Sequence, residues 1–271
     1  MAKRPHFICI GAQRGGTSNL YRMLRLHPDI WLPPIKELHF FDLPLDRPRR
    51  RRELAELEGR TKRRDKRFLK RLTQAIEDGD QSVKRYRSLF GPSEEKVTGD
   101  ITPGYGTLPS ETVAKLARRL PNTAVLFIIR EPMSRLWSHA RMVQSKKKGT
   151  PLADADSFKA FCEDPAVRLR SLQSDVFERW SASFGTRFHV LFFDDLVADS
   201  QAFYARVHEI IGVEHHPVDT EREHAPAPKP KMPEEMRRHA EVLLEGEYER
   251  LAELVGGHAE TWLQKRRAAA A

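Results

Sequence analysis

The segment GAQRGGTSN, Gly11–Asn19, concentrates residues suited to holding an anion. Gly11, Gly16 and Ser18 stand where a nucleotide-binding P-loop, G-x-x-x-x-G-K-[ST], needs them, but Thr17 occupies the lysine position. The cation of the loop is Arg14, three residues earlier. A glycine-rich turn ahead of a helix collects backbone N–H groups at the positive end of the helix dipole, which makes an anion site. In P-loop NTPases the lysine reaches the β- and γ-phosphates, and the Ser/Thr hydroxyl holds Mg²⁺. Without that lysine a triphosphate–Mg²⁺ complex is poorly served. A ligand with one phosphate and a less charged transferable group needs fewer cations, and Arg14 is placed to meet its bridging oxygen.

A second cluster lies in IIREPMSRLWS, Ile128–Ser138. Arg130 follows the apolar run Val125–Ile129 directly, and Ser138 comes eight residues later, about two turns into a helix opened by Glu131–Pro132. A guanidinium and a hydroxyl so placed suit a second phosphate. In KELHFFD, Lys36–Asp42, Glu37 and His39 fall on one face if Lys36–Phe41 is extended. Tyr105 and Trp137 are candidates to line an acceptor or base pocket, and Lys36 is a candidate to bind the acceptor. Metal-site signals are weak: HEIIG (His208–Gly212) lacks the second histidine of H-E-x-x-H, and His215–His216 are adjacent rather than spaced as ligands.

These residues need particular elements to hold them. HFICIG (His6–Gly11) reads as a buried strand, and GTSNLYRMLRL (Gly16–Leu26) as the helix that follows, stopped by HPD. KVTGDITPGYG gives a strand that breaks into a Gly/Pro loop. TAVLFIIREP is the strongest strand of the chain, with a helix at once behind it. A helix near Ser171–Phe184, the strand FHVLFF and a helix from DDLVADSQAFYARVHEIIG come next. Buried strands alternating with helices predict an α/β fold of P-loop-like, three-layer type, with a central, mainly parallel sheet flanked by helices. The expectation is one domain over 1–271. It carries a basic helical insertion at about 47–80 with helix around Glu53–Ile76, a Pro-rich linker over 225–233, and a C-terminal helix over about 234–255.

A chain of 271 residues buries about three-quarters of its unfolded surface, so it needs no disulfide or metal staple. Cys9 and Cys162, far apart in sequence, suit a reduced protein. With no long apolar run and no signal-peptide pattern, the expectation is a cytoplasmic protein without a membrane span. The formal net charge is +9, and residues 47–71 alone, with thirteen Lys/Arg against four Asp/Glu, account for +9. Such localisation argues against a nucleic-acid-coating surface and favours one basic element, solvated or facing an anionic partner.

Together, GAQRGGTSNLYRMLRLHPDI, KELHFFD, GDITPGY and IIREPMSRLWSHARM resemble the sulfotransferases that use 3′-phosphoadenosine-5′-phosphosulfate (PAPS). The similarity is greatest to the branch containing heparan sulfate sulfotransferases and their short bacterial relatives. YRSLF (Tyr86–Phe90), RSLQSDVFERW (Arg170–Trp180) and FDDLVAD (Phe193–Asp199) fit the same order, so the resemblance runs from Phe7 to LAELVGGHAETW near the C-terminus. It implies that Arg14, Gly15, Gly16, Thr17, Ser18 and Asn19 hold the 5′-phosphosulfate, and that Arg130 and Ser138 hold the 3′-phosphate. It implies Glu37 as general base, with His39 as the rival because cytosolic branches use histidine, and Arg14 stabilising the departing phosphate. Ser171 and Trp180 match a helix motif near the donor. The chain departs from the pattern at Ile101, where heparan sulfate enzymes often have a second lysine, and at Gln173, where the motif has tyrosine. It also has no clear KG donor loop, for which Lys229 and Lys231 are the candidate substitutes. The implied reaction is metal-independent sulfuryl transfer from PAPS, leaving 3′,5′-adenosine bisphosphate (PAP). The acceptor is a carbohydrate or small molecule, anionic or carrier-bound, and not nucleic acid. The alternatives are a P-loop kinase-like phosphotransferase and a polyanion-binding protein acting through 47–71.

Overall fold

Strand β1 (Phe7–Gly11) is buried at every position, as a strand covered on both faces must be. The computed structural model describes residues 5–57, 62–91, 96–146, 154–217 and 230–270. The other strands are β2 (Ile30–Trp31), β3 (Val97–Ile101), β4 (Ala124–Ile129) and β5 (Phe188–Phe192). They form one sheet in the order β2-β3-β1-β4-β5, and every neighbouring pair is parallel. Cys9 lies opposite both Ile101 and Leu126, so the carboxyl ends of the three central strands open at one level.

Helices cover both faces. They are α1 (Thr17–Leu24), α2 (Pro48–Leu57), α3 (Arg63–Glu77), α4 (Val83–Leu89), α5 (Ser110–Arg119), α6 (Pro132–Lys146) and α7 (Ala155–Glu163). There follow α8 (Pro165–Ser171), α9 (Gln173–Phe184), α10 (Phe193–Ala198), α11 (Ser200–Ile211), α12 (Glu234–Leu243), α13 (Glu247–Val255) and α14 (His258–Ala270). Alternate strand residues point to opposite faces. Ile8, Ile10, Val125, Phe127 and Ile129 pack with side chains of α3, α4, α5 and α9. Phe7, Cys9, Leu126 and Ile128 pack with α1 and α11 on the other side. The expected three layers and parallel sheet are therefore present. A further apolar cluster joins α6 and α7 to the last three helices.

Several expected boundaries move. The helix expected at Glu53–Ile76 is α2 and α3, with 58–61 outside the described residues. On α3, Phe68, Leu72 and Ala75 are buried along one face, whereas the buried residue of α2 is Arg50. The helix expected over 234–255 breaks between α12 and α13, where Gly246 takes φ 71, and α14 adds a helix that had not been expected. The helix near Ser171–Phe184 is divided between α8 and α9 at Leu172. Most of the Pro-rich 225–233 stretch lies outside the described residues. Cys9 and Cys162 are buried and free. Among the described residues no helix is long and apolar enough to cross a membrane.

Candidate active site

Four segments leave the carboxyl ends of β2, β3, β1 and β4 and meet along one edge of the sheet, where open α/β sheets bind ligands. After β1, Gly16 is the N-cap of α1 at φ 91 and offers no capping side chain. The first helical bond runs from the Leu20 N–H to the Gly16 carbonyl, 3.0 Å. The amides of Thr17, Ser18 and Asn19 thus belong to the first turn, where an α-helix supplies no acceptor. Gly15 and Gly16 leave little room for a side chain. A Cβ on Gly15 would lie 2.7 Å from the Ile128 carbonyl, and one on Gly16 2.8 Å from Leu196. Asn19 Oδ1 accepts a hydrogen bond from the Tyr204 hydroxyl.

Arg14 and the second cluster converge. Arg14 Nε donates to Ser138 Oγ at 3.0 Å, and Arg130 Nη1 donates to the Arg14 carbonyl at 2.9 Å. The Arg130 guanidinium stacks 4.4 Å over Phe193. Gln173 fixes the Arg130 backbone at both ends: its Oε1 accepts from the Arg130 N–H at 3.1 Å and its Nε2 donates to the Arg130 carbonyl at 2.8 Å. On α6, Arg141 shares the face of Ser138, three residues on, and a cleft of about 450 Å³ is lined by Arg14, Ser138, Arg141, Met142, Gln144 and Ser145. Burial lowers the pKa of Arg14, and Arg141 adds to the effect; burial lowers that of Arg130, and Arg14 adds to it. Among the described residues, none of these three arginines has a carboxylate within 4.0 Å. Glu131 and Asp194 oppose the lowering at Arg130, and the close positive charges of the three arginines still favour an anion between them.

The segment after β2 is not extended. Glu37 (φ 62) and His39 (φ 48) both adopt the left-handed region, at a cost of roughly 1–2 kcal/mol each. Their side chains nevertheless face each other. His39 Nε2 lies 3.4 Å from Glu37 Oε2, and His39 Nδ1 lies 2.7 Å from Asp42 Oδ2. Lys36 Nζ pairs with Glu37 Oε1. Burial is the largest influence on Glu37 and would raise its pKa, but the His39 bond and the Lys36 charge together outweigh it and hold the carboxyl at about 2. Burial would likewise lower the pKa of His39, but the bonds to Asp42 and Glu37 reverse this and raise it. Gly104, in the turn after β3, makes room for the group: a Cβ there would land on Asp42 Oδ2 and 3.1 Å from the His39 ring. That turn is stitched to β1 by the Thr102 N–H on the Cys9 carbonyl, 2.9 Å.

Other expected site residues lie elsewhere. Ser171 is fully buried; its Oγ accepts from Arg135 Nη2 at 2.7 Å and donates to the Val167 carbonyl. Arg135, also buried, reaches toward the Gln13 carbonyl at 3.5 Å, so Ser171 stands behind the loop and not in its mouth. Trp180 is fully buried and stacked on Phe184, a core position set by the inward face of α9. Tyr105 is also buried, and its hydroxyl accepts from the Phe40 N–H at 3.0 Å, which leaves it a support and not a pocket wall. Trp137 donates to the Pro230 carbonyl at 2.8 Å. Lys231 is exposed, and Lys229 lies outside the described residues. Gln173, Asp42 and Arg141 were not singled out as site residues. Arg141 had a readable signal in its i+3 spacing from Ser138, whereas the Gln173 clamp depends on α9 meeting the end of β4. His27, His208, His215 and His216 gather near one another, but among the described residues no group of three has metal-holding geometry.

Residues 5–217 match the family described as the Sulfotransferase family. The chain belongs to that family. This sulfotransferase-family chain is 25% identical over 217 residues to the mouse and human proteins named heparan sulfate glucosamine 3-O-sulfotransferase 6, with 77% of this chain and 52% of those covered. It spans about half the length of the curated relatives it matches. Among solved structures, a sulfotransferase from Alicyclobacillus acidocaldarius aligns with TM-score 0.68 at 22% identity, covering 97% of this chain and 99% of that one. The sulfotransferase domain from the curacin biosynthetic pathway aligns with TM-score 0.56 at 16% identity over 89% and 98% of the two chains. Both share the fold.

Proposed function

We propose that this protein moves a sulfuryl group from PAPS to a hydroxyl or amine of a carbohydrate or small-molecule acceptor. The observation that carries this reading is Arg14 bonded to Ser138, Arg141 lining the same cleft and Arg130 bonded to the Arg14 carbonyl, beside the first turn of α1, with no carboxylate among the described residues within 4.0 Å of the three. Two anion-binding positions, one at the helix N-terminus and one on α6, suit a nucleotide with a 5′-phosphosulfate and a separate 3′-phosphate. The named 3-O-sulfotransferase relatives support a carbohydrate acceptor.

When bound, PAPS supplies an activated sulfuryl group on a phosphate leaving group. The acceptor O–H gives its proton to the Glu37 carboxylate while its oxygen bonds to sulfur. The bridging S–O bond breaks, and its electron pair leaves on the phosphate oxygen of PAP. Arg14 and the first-turn amides stabilise that charge, the kind of preorganised stabilisation on which such transfers depend. His39 lies within reach of a carboxylate at each ring nitrogen and, as imidazolium, donates from both. It therefore orients Glu37 instead of taking the proton. An acceptor that covers Glu37 deepens its burial, the influence that raises its pKa, so its strength as a base grows on binding.

A thermal-shift comparison of PAP with ATP, each with and without EDTA, tests the donor. PAP is expected to raise Tm without metal, and Arg130→Ala to erase the effect, while Glu37→Gln keeps it. Stabilisation by ATP–Mg²⁺ with none from PAP would overturn the proposal in favour of a phosphotransferase.

A further inference from the structure

Arg50 belongs to the basic stretch expected to be solvated or to face an anionic partner, yet its side chain is fully buried. It is the buried residue of α2, whose Arg49, Arg51 and Arg52 are exposed. Its guanidinium turns toward the segment after β2. Nη2 donates to the Leu38 carbonyl and lies 3.4 Å from the Glu37 carbonyl, while Nη1 lies 3.3 Å from Glu53 Oε2. Phe40, beyond His39, is held by other side chains: its N–H donates to Tyr105, and its carbonyl accepts from Gln81 Nε2 at 2.6 Å.

Two non-glycine residues in the left-handed region, two positions apart, persist only where surrounding contacts over-determine them. A buried charge in turn persists only with good partners. Arg50 Nη2 addresses the two successive carbonyls while Nη1 faces the Glu53 carboxylate without a hydrogen bond, an arrangement that a planar guanidinium spans more readily than a lysine ammonium. We propose that Arg50 is a positioning residue: by holding the carbonyls of Glu37 and Leu38 it keeps the Glu37 carboxylate turned onto His39, and this makes α2 part of the catalytic architecture. The proposal rests on the sulfotransferase reading in which Glu37 is the base. It also separates Arg50 from the surface charge of 47–71, most of which remains exposed.

His39 reports on the arrangement. The charged groups facing it are Glu37 and Asp42 on its own segment and Asp100 at the end of β3, with Arg47 acting on Asp42. Losing the Glu37 contact removes one carboxylate partner and leaves the Asp42 bond. The experiment uses the full chain as wild type, Arg50→Met, which keeps length without the donors, and Arg50→Lys, which keeps charge without the planar head. In each, the His39 imidazole is titrated by NMR, with its signal assigned from His39→Gln, and PAP binding is followed by thermal shift. In Arg50→Met the His39 midpoint is expected to fall by about one pH unit, the scale of a lost close charge partner, with PAP stabilisation retained. Arg50→Lys should restore part of the shift. A His39 midpoint in Arg50→Met equal to wild type overturns the proposal. Should that variant fail to fold, the Arg50 side-chain resonances of the wild type carry the test. They should move with pH at the His39 midpoint, and a flat response there overturns it. Absence of PAP stabilisation in the wild type would defeat the donor assignment but leave the His39 comparison readable.

Discussion

At the scale of single residues, the Glu37–His39–Asp42 chain ties stability to pH in two opposite ways. The Glu37 carboxyl is lowered from 4.5 to about 2, so its contribution is full above 4.5 and is lost as pH falls through about 2. The His39 imidazole is raised from 6.5, so its contribution is full below 6.5 and is lost as pH rises through the folded-state value. Both are present together between about pH 5 and 6. The Tm difference between wild type and His39→Gln should be largest there and shrink on the alkaline side. A difference that stays constant from about pH 5 to 9 would show that folding leaves the histidine's pKa unchanged. Glu37 and His39 were legible in the sequence as neighbours on one face, but the route by which they meet was not. Extended backbone would have aligned them by alternation; two left-handed residues do so instead, held by Arg50, Tyr105 and the space over Gly104.

At the scale of elements, the β1–loop–α1 unit was readable because its signals are local. An apolar strand, three glycines and a polar first turn occur within thirteen residues, Phe7–Asn19, and each depends only on its neighbours in sequence. Gly16 is the most demanding position, with φ 91 and Leu196 of α10 against its missing Cβ. Gly16→Ala should cost roughly 1–2 kcal/mol from the left-handed backbone alone, which for a chain of this size lowers Tm by about 2–8 °C. PAP affinity should fall in parallel, measured by titration calorimetry at a temperature where the variant is folded. Unchanged affinity would mean that the first-turn amides do not hold the ligand. Helix boundaries were less legible where composition was uniform. Charge in 47–71 hid the break between α2 and α3, and the single glycine at 246 did not by itself announce a turn between two charged helices.

At the scale of the whole molecule, the residues brought to one sheet edge come from positions as far apart as Arg14 and Gln173. Parallel topology does this, because each connection must cross the sheet and so returns every strand's carboxyl end to the same side. Packing then decides which motif residues reach the edge. Trp180 lies in the cluster beneath it with no exposed surface, beside Phe184 and Val176. Trp180→Ala should therefore cost about 3–5 kcal/mol in urea denaturation, and Trp180→Phe much less, with PAP affinity of the folded protein preserved in both. Loss of PAP affinity at unchanged stability would place the indole at the ligand instead. By itself the sequence determined the strand–loop–helix units, the parallel sheet, and Arg14 and the Arg130–Ser138 cluster as two separate anion-binding candidates, since those follow from local periodicity and from fixed offsets at strand ends. Only the tertiary structure decided that Gln173 clamps Arg130, that Ser171 and Trp180 face inward, and that one arginine of a basic run is buried under Glu37. Those outcomes depend on which elements pack together, and side-chain type and spacing along the chain do not encode that contact.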